Sequence, residues 1–295
     1  MLYADDAGIV SRTQESLSKM MSAVVKSCEQ FGLTVSEPKT ETMHLRTRGG
    51  ERAVVEIQAC GQRYHQKHQF IYLGGCVTED ADIAVELRRR RQRAMFKLKK
   101  YGKQVFHCRS GVTLRTKLSL LQSEVTEALL YGCQTWTLNV QHYTFLMRAH
   151  HHALLRCVGF RKKKRTDHVI AYHKLLLRCH CESIEATIKR RRLQWAGKVV
   201  RMDNSRLPKA MMFGELVDGK RRIGGPGKQW RQCLSKDLKD FDFDANSWVA
   251  DAADRDSWEA KIDVGAKTFM ARWHAMRVAE ADVRHRRQRA AAADD

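Results

Sequence analysis

Proline is scarce in this sequence, three in 295 residues at positions 38, 208 and 226, so most of the chain is free of the usual helix breaker. No uninterrupted apolar run approaches the ~20 residues of a membrane span. Asp5 and Asp6 interrupt the N-terminus where a secretory signal would be apolar. Both absences argue against secretion or membrane insertion. Nine cysteines, an odd number at irregular spacing, do not describe a disulfide framework; they read as reduced thiols of the cytoplasm or nucleus. No Ser/His/Asp arrangement, phosphate-cradling glycine loop or internal repeat is recognisable.

What is present is a globular composition, 43% hydrophobic, with a strong excess of positive charge: 54 Lys and Arg against 33 Asp and Glu, net +21. The excess is not uniform. Residues 1–50 are neutral, 51–150 carry +8, 151–200 carry +10, 201–250 carry +3, and the last 45 residues balance. A basic middle between neutral ends points to a polyanion partner, nucleic acid first.

The pattern predicts an α+β chain. Met1 to Val10 places two carboxylates between apolar, strand-forming arms, which suits a β-hairpin presenting both acids at its turn. Glu15 to Phe31 reads as a helix closed by Gly32. Leu33-Thr34-Val35, Thr42 to Leu45, 53–58 and 69–73 read as strands. From about residue 80 the apolar spacing is helical: Ile83, Leu87, Ala94 and Leu98; Leu114 to Leu129; Tyr143 to Val158; Ile184 to Val199. Gly224-Gly225-Pro226-Gly227 marks a loop before a last helical pair, and 284–295 is a charged tail, frayed or disordered.

Two carboxylates at a hairpin turn offer hard oxygen ligands of the kind Mg²⁺ prefers. The dipeptide alone reads as a solvated acidic turn. Its surroundings change that: Tyr3-Ala4-Asp5-Asp6 matches the YxDD box of reverse transcriptases. Some thirty residues on, Phe31-Gly32-Leu33-Thr34-Val35, running to Lys39, resembles the family's next palm motif. The resemblance continues, to non-LTR (LINE-type) retrotransposon reverse transcriptases, through Phe70-Ile71-Tyr72-Leu73-Gly74 and Leu130-Tyr131-Gly132-Cys133-Gln134-Thr135-Trp136. It then runs through Arg191-Arg192-Leu193-Gln194-Trp195-Ala196-Gly197-Lys198-Val199 and on to Trp230, Asp237-Leu238 and Asp254-Arg255-x-x-Trp258. Gln134 replaces the usual acid and Lys198 the usual histidine.

The resemblance implies an RNA-directed DNA polymerase working by two-metal nucleotidyl transfer with Mg²⁺ and a dNTP on an RNA template and DNA primer. By analogy Asp5 and Asp6 are metal ligands, Tyr3 packs beside the primer end, and Lys39 stands near the leaving pyrophosphate. It also implies a layout of partial palm (1–75), helical thumb-like nucleic-acid-binding region (76–205), C-terminal helical segment (206–283) and tail (284–295). In the family the fingers and the first catalytic carboxylate precede this box, and Met1 reads as an internal methionine of a longer frame. The chain alone is therefore expected to be inactive.

Three basic clusters stand as candidate contacts to a template–primer duplex or RNA–DNA hybrid: Arg88, Arg89, Arg90, Arg91, Arg93 and Lys97; Lys162, Lys163 and Lys164; and Arg190, Arg191 and Arg192. The alternative for each is a solvated helix face. For the whole chain it is a non-catalytic nucleic-acid-binding module left from a decayed element, or a decayed copy that never folds stably. A zinc reading of His173, Cys179, His180 and Cys181 is weak, because Cys-x-Cys lacks the spacer of structural zinc sites.

Overall fold

The computed structural model describes residues 2–46, 50, 52–107, 109–160, 169–214 and 229–291. It is an α+β chain, mainly helical after its first 80 residues. Two compact units divide it, Met1–Glu86 and Leu87–Asp295.

In the first unit, β1 (Leu2–Tyr3) pairs antiparallel with β2 (Asp6–Ala7) in the register Leu2↔Ala7 and Tyr3↔Asp6, which leaves Ala4 and Asp5 at the turn. Helix α1 (Gln14–Gln30) starts where the Thr13 hydroxyl accepts from the Ser16 N–H at 3.2 Å. It stops at Gly32, whose φ of +69° lets Leu33 N–H reach back to Cys28 O at 2.9 Å. One face of α1 lays Met21 and the partly buried Leu17 on Ile57, Ala59 and Tyr64. These three belong to β4 (Ile57–Ala59) and β5 (Gln62–Gln66), and β3 (Glu41–Thr42) adds to β5 in parallel.

β6 (Gln69–Tyr72) and β7 (Gly75–Thr78) form a separate hairpin. Both longer hairpins turn through two residues of positive φ, Cys60-Gly61 and Leu73-Gly74, the backbone that matches the right-handed twist of paired strands. Those pairs were the missed signals for β5 and β7. Leu33-Thr34-Val35 is not a strand. No neighbour offers it a ladder, and Leu33 is exposed. Of the strand expected at 42–45 only Thr42 is in β3, and of the one expected at 53–58 only Ile57 and Gln58 are in β4.

The second unit takes up α2 (Ile83–Lys100) from Leu87 onward. A nearly continuous helical stretch follows, made of α3 (Leu114–Leu120), a π-helical segment (Leu121–Thr126) and α4 (Glu127–Leu130). After a 3₁₀ turn at Cys133–Thr135 come α5 (Val140–Cys157), α6 (Tyr172–Cys179), α7 (Ile184–Val200) and α8 (Leu207–Phe213). The last are α9 (Trp230–Asp240), α10 (Trp248–Asp251) and α11 (Arg255–Ala291), so the charged tail is helical as far as Ala291. The loop expected at 224–227 lies outside the described residues.

Helix α7 is the hub of this unit, packed against α5, α9, α11 and the 3₁₀ turn. Its Leu193 and Ala196 join Leu234, Leu238, Phe241, Trp258 and Ile262 in one core. Trp258 is fully buried and donates its indole N–H to Leu193 O at 3.0 Å. It gets that close because Gly197 has no side chain: a Cβ there would stand 2.3 Å from Trp258 Nε1.

Candidate nucleic-acid interface

The two carboxylates sit where the sequence places them. Asp5 is in the β1–β2 turn and Asp6 begins β2, both exposed. Ala4 precedes them at a φ of +51°, a conformation that costs an L-residue roughly 1–2 kcal/mol. Tyr72 of β6 lies against the same hairpin, its hydroxyl oxygen 3.2 Å from where a Cβ on Gly8 would be. Of Tyr3 only the backbone is described, paired with Asp6. Lys39 ends an exposed 3₁₀ turn (Glu37–Lys39) and makes no ion pair among the described residues.

Among the described residues no third carboxylate, histidine or cysteine joins Asp5 and Asp6 in a group able to hold a metal ion. Two side chains on one exposed turn are too few for a two-metal clamp. The Mg²⁺ that the resemblance implies is thus not provided for by these residues alone.

Helix α2 sorts its arginines by face. Leu87, Arg90, Ala94 and Leu98 form the buried stripe. Arg90, 2% exposed, holds its guanidinium 4.5 Å above the Tyr131 ring. Arg91 sits 5.3 Å above Phe145, and Lys97 Nζ lies 2.8 Å from Glu124. Arg89 is half-buried. Arg88, Arg93, Lys99 and Lys100 project into solvent. Of these, Arg88, Arg93 and Lys99 meet no carboxylate among the described residues.

Beside this face runs a groove of about 610 Å³, walled on one side by Arg93, Phe96, Lys97 and Lys100, and on the other by Glu124 and Tyr131. Phe96 is 70% exposed and Tyr131 52%. Phe96 was not singled out in the sequence, and Tyr131 only as part of the motif at 130–136. The signal was available, since Phe96 falls three residues after Arg93 and four before Lys100, on one helix face.

The basic run on α7 is a different object, its cations taken up by partners within the unit. Arg192 is 1% exposed; it pairs with Asp237 of α9 and donates to Trp136 O at 2.9 Å. Lys189, 2% exposed, reaches Asp240, Glu185 and Asp237. Arg190 pairs with Glu182 and Asp263, and Arg191 with Glu127.

Burial pulls the Lys189 amine down, but Asp237, Asp240 and Glu185 outweigh it and leave its pKa above the ordinary lysine value. Burial also pushes the Asp237 carboxyl upward, against the pull of Arg192 and Lys189. The run therefore ties α7 to α9, α11, α4 and the 3₁₀ turn. Phosphates find no open arginine at 192. The same reason excludes Arg90 on α2.

The remaining candidates separate. Lys162, Lys163 and Lys164 lie outside the described residues. Cys179 is buried in α6, His180 caps that helix at a φ of +50°, and Cys181 Sγ points back to Cys179 O at 3.3 Å. Within α5, His150 is buried against Tyr172, His151 meets Ile170 O at 2.8 Å, and His152 is exposed.

Comparison with known proteins adds one observation. The chain is similar to a transposon-derived protein. That protein, from Caenorhabditis elegans, is 24% identical over 268 residues, which cover 88% of this chain and 93% of the relative. The similarity supports a transposon-related origin. No protein-family model matches the chain, and no solved structure matches it. Among the described residues no helix is long and apolar enough to cross a membrane.

Proposed function

We propose that this chain is the C-terminal part of a non-LTR retrotransposon reverse transcriptase, and that its own contribution is to grip nucleic acid. The observation that carries the reading is the solvent face of α2, where Arg88, Arg93, Lys99 and Lys100 stand clear of the core on one rigid helix. Such groups contact phosphates without reading bases, and the resulting affinity falls steeply with salt. The YADD hairpin with both acids exposed, the motif series along the chain and the transposon-derived relative support the parentage.

Nucleotidyl transfer belongs in this reading to the parent enzyme. Asp5, Asp6 and Lys39 would be its contribution from this chain, with Mg²⁺ held jointly with carboxylates supplied elsewhere. Purified chain supplied with template–primer, dNTPs and Mg²⁺ is expected to extend no primer. Extension lost in an Asp5→Asn variant would overturn that.

The second reading, a non-catalytic nucleic-acid-binding module, is favoured by the absence of a three-ligand metal group among the described residues. Both readings require binding. The test is fluorescence anisotropy with a labelled RNA–DNA hybrid, together with circular dichroism. A folded chain that fails to bind would overturn both.

A further inference from the structure

We infer that the groove between α2 and Tyr131 binds an unpaired stretch of polynucleotide, with Phe96 and Tyr131 as stacking surfaces for its bases. The inference rests on the nucleic-acid reading above and narrows the ligand from a duplex to a single strand.

Three features of the groove combine. Phe96 and Tyr131 are large aromatics left 70% and 52% exposed, although the unit has a core in which to bury such rings. Both line one groove of about 610 Å³, room for a base and its sugar-phosphate. Arg93 and Lys100 flank Phe96 on the same helix face. Aromatic faces set in a basic groove are how proteins hold single strands without sequence preference, because every base has a π-face to stack.

A duplex hides its base faces inside its own stack and would use the cations but not the rings. The two carboxylates in the groove do not reverse its sign, since Glu124 pairs with Lys97 and Glu127 with Arg191. Tyr131 is braced from behind by the Arg90 guanidinium, which holds the ring in place.

Phe96 is exposed, so its replacement leaves the fold intact. The experiment measures binding of the full chain to an oligothymidylate of about twelve nucleotides and to an RNA–DNA hybrid of equal length. Wild type, Phe96→Leu, Phe96→Trp and Arg93→Ala are compared, with 2-aminopurine placed within the single strand. Phe96→Leu is expected to weaken single-strand binding on the order of tenfold and to abolish 2-aminopurine quenching, while hybrid binding changes by less than about twofold. Phe96→Trp restores both readouts. Arg93→Ala weakens both ligands and flattens the salt dependence.

Equal loss of both ligands with Phe96→Leu, or loss of neither, would overturn the inference and leave the grip on nucleic acid standing. Self-association of the chain that disappears with Phe96→Leu would assign the groove to a second copy and overturn it too. No binding of either ligand by folded wild type would overturn the underlying reading as well.

Discussion

Replacing Gly197 by alanine sets two physical effects against each other, and their sizes decide the sign. Glycine in a helix interior is about 1 kcal/mol worse than alanine, so helix propensity alone predicts stabilisation. The structure predicts the reverse. The new Cβ would stand 2.3 Å from Trp258 Nε1 and 2.5 Å from its Cδ1, so either the indole or α7 must move by about 1 Å. Trp258 has nowhere to go: it is fully buried among α7, α9 and α11 and hydrogen-bonded to Leu193 O. Overpacking costs about 1–3 kcal/mol, and a buried donor torn from its acceptor about 1–3 more. Net destabilisation is then about 1–5 kcal/mol after the helix gain is subtracted. Urea unfolding followed by circular dichroism measures it. In a Trp258→Leu background the same change should lose most of its cost, and the double-mutant cycle isolates the contact. A Gly197→Ala chain as stable as wild type, or more so, would refute the packing argument.

Three further outcomes follow from the same structure. Asp237→Ala leaves Arg192 and Lys189 buried without their shared carboxylate and should cost about 3–5 kcal/mol, whereas Arg88→Ala should change stability by no more than about 0.5 kcal/mol; equal effects would contradict the division into structural and exposed arginines. His150 is buried, and burial pulls its pKa down to about 4, with the neighbouring His151 adding to the effect. Its Nδ1 lies 2.8 Å from the Tyr172 hydroxyl, which already accepts from Ile184 N–H and so has its own proton to give. The unfolded chain takes up this proton near pH 6.5 and the folded chain only near 4, so stability is full above about 6.5 and falls between the two, by about 2 kcal/mol at pH 5. Unfolding at pH 7.5 and 5 in wild type and His150→Gln checks the slope, which the variant should reduce by that amount. Gly61→Ala, at a φ of +81° with open space around it, should cost about 1 kcal/mol through backbone strain alone; an unchanged unfolding midpoint would contradict the turn geometry.

The elements that were legible in the sequence are those whose signal is local. The β1–β2 hairpin, α1 with its Gly32 stop, and the apolar faces of α2, α5 and α7 follow from alternation, capping and helical spacing within a few residues. Strand pairing is not local: Leu33-Thr34-Val35 has strand-forming residues but no partner, while β5, with the polar sequence Gln62–Gln66, is held by strands on both sides.

The candidate site divides along the same line. That α2 is basic was plain, but which of its arginines faces solvent depends on where Tyr131 and Phe145 fall in the folded unit. The α7 run carried the same signal as α2 in sequence. Apart from Glu185, one helical turn from Lys189, its acidic partners stand between 8 and 73 residues away, at Glu182, Asp237, Asp240 and Asp263 among others, and no charge count could pair them. The motifs after residue 130 that carry the family resemblance converge in one place. Leu130 and Trp136 accept from the α7 arginines, and Gln134 from Trp230, through their carbonyls. Leu193 accepts from Trp258, and Asp237 anchors Arg192. In this chain those motifs build the helical core.

The most direct test of the central claim is a salt series of RNA–DNA hybrid binding by the folded chain, repeated on a triple α2 variant (Arg88→Ala, Arg93→Ala, Lys99→Ala) and on Arg190→Ala of α7. Wild type should lose affinity steeply between about 50 and 200 mM salt. The α2 variant should bind weakly, with its slope reduced by about one for each lost phosphate contact, and Arg190→Ala should bind as wild type. Binding that survives in the α2 variant but fails in a folded Arg190→Ala chain would contradict the account.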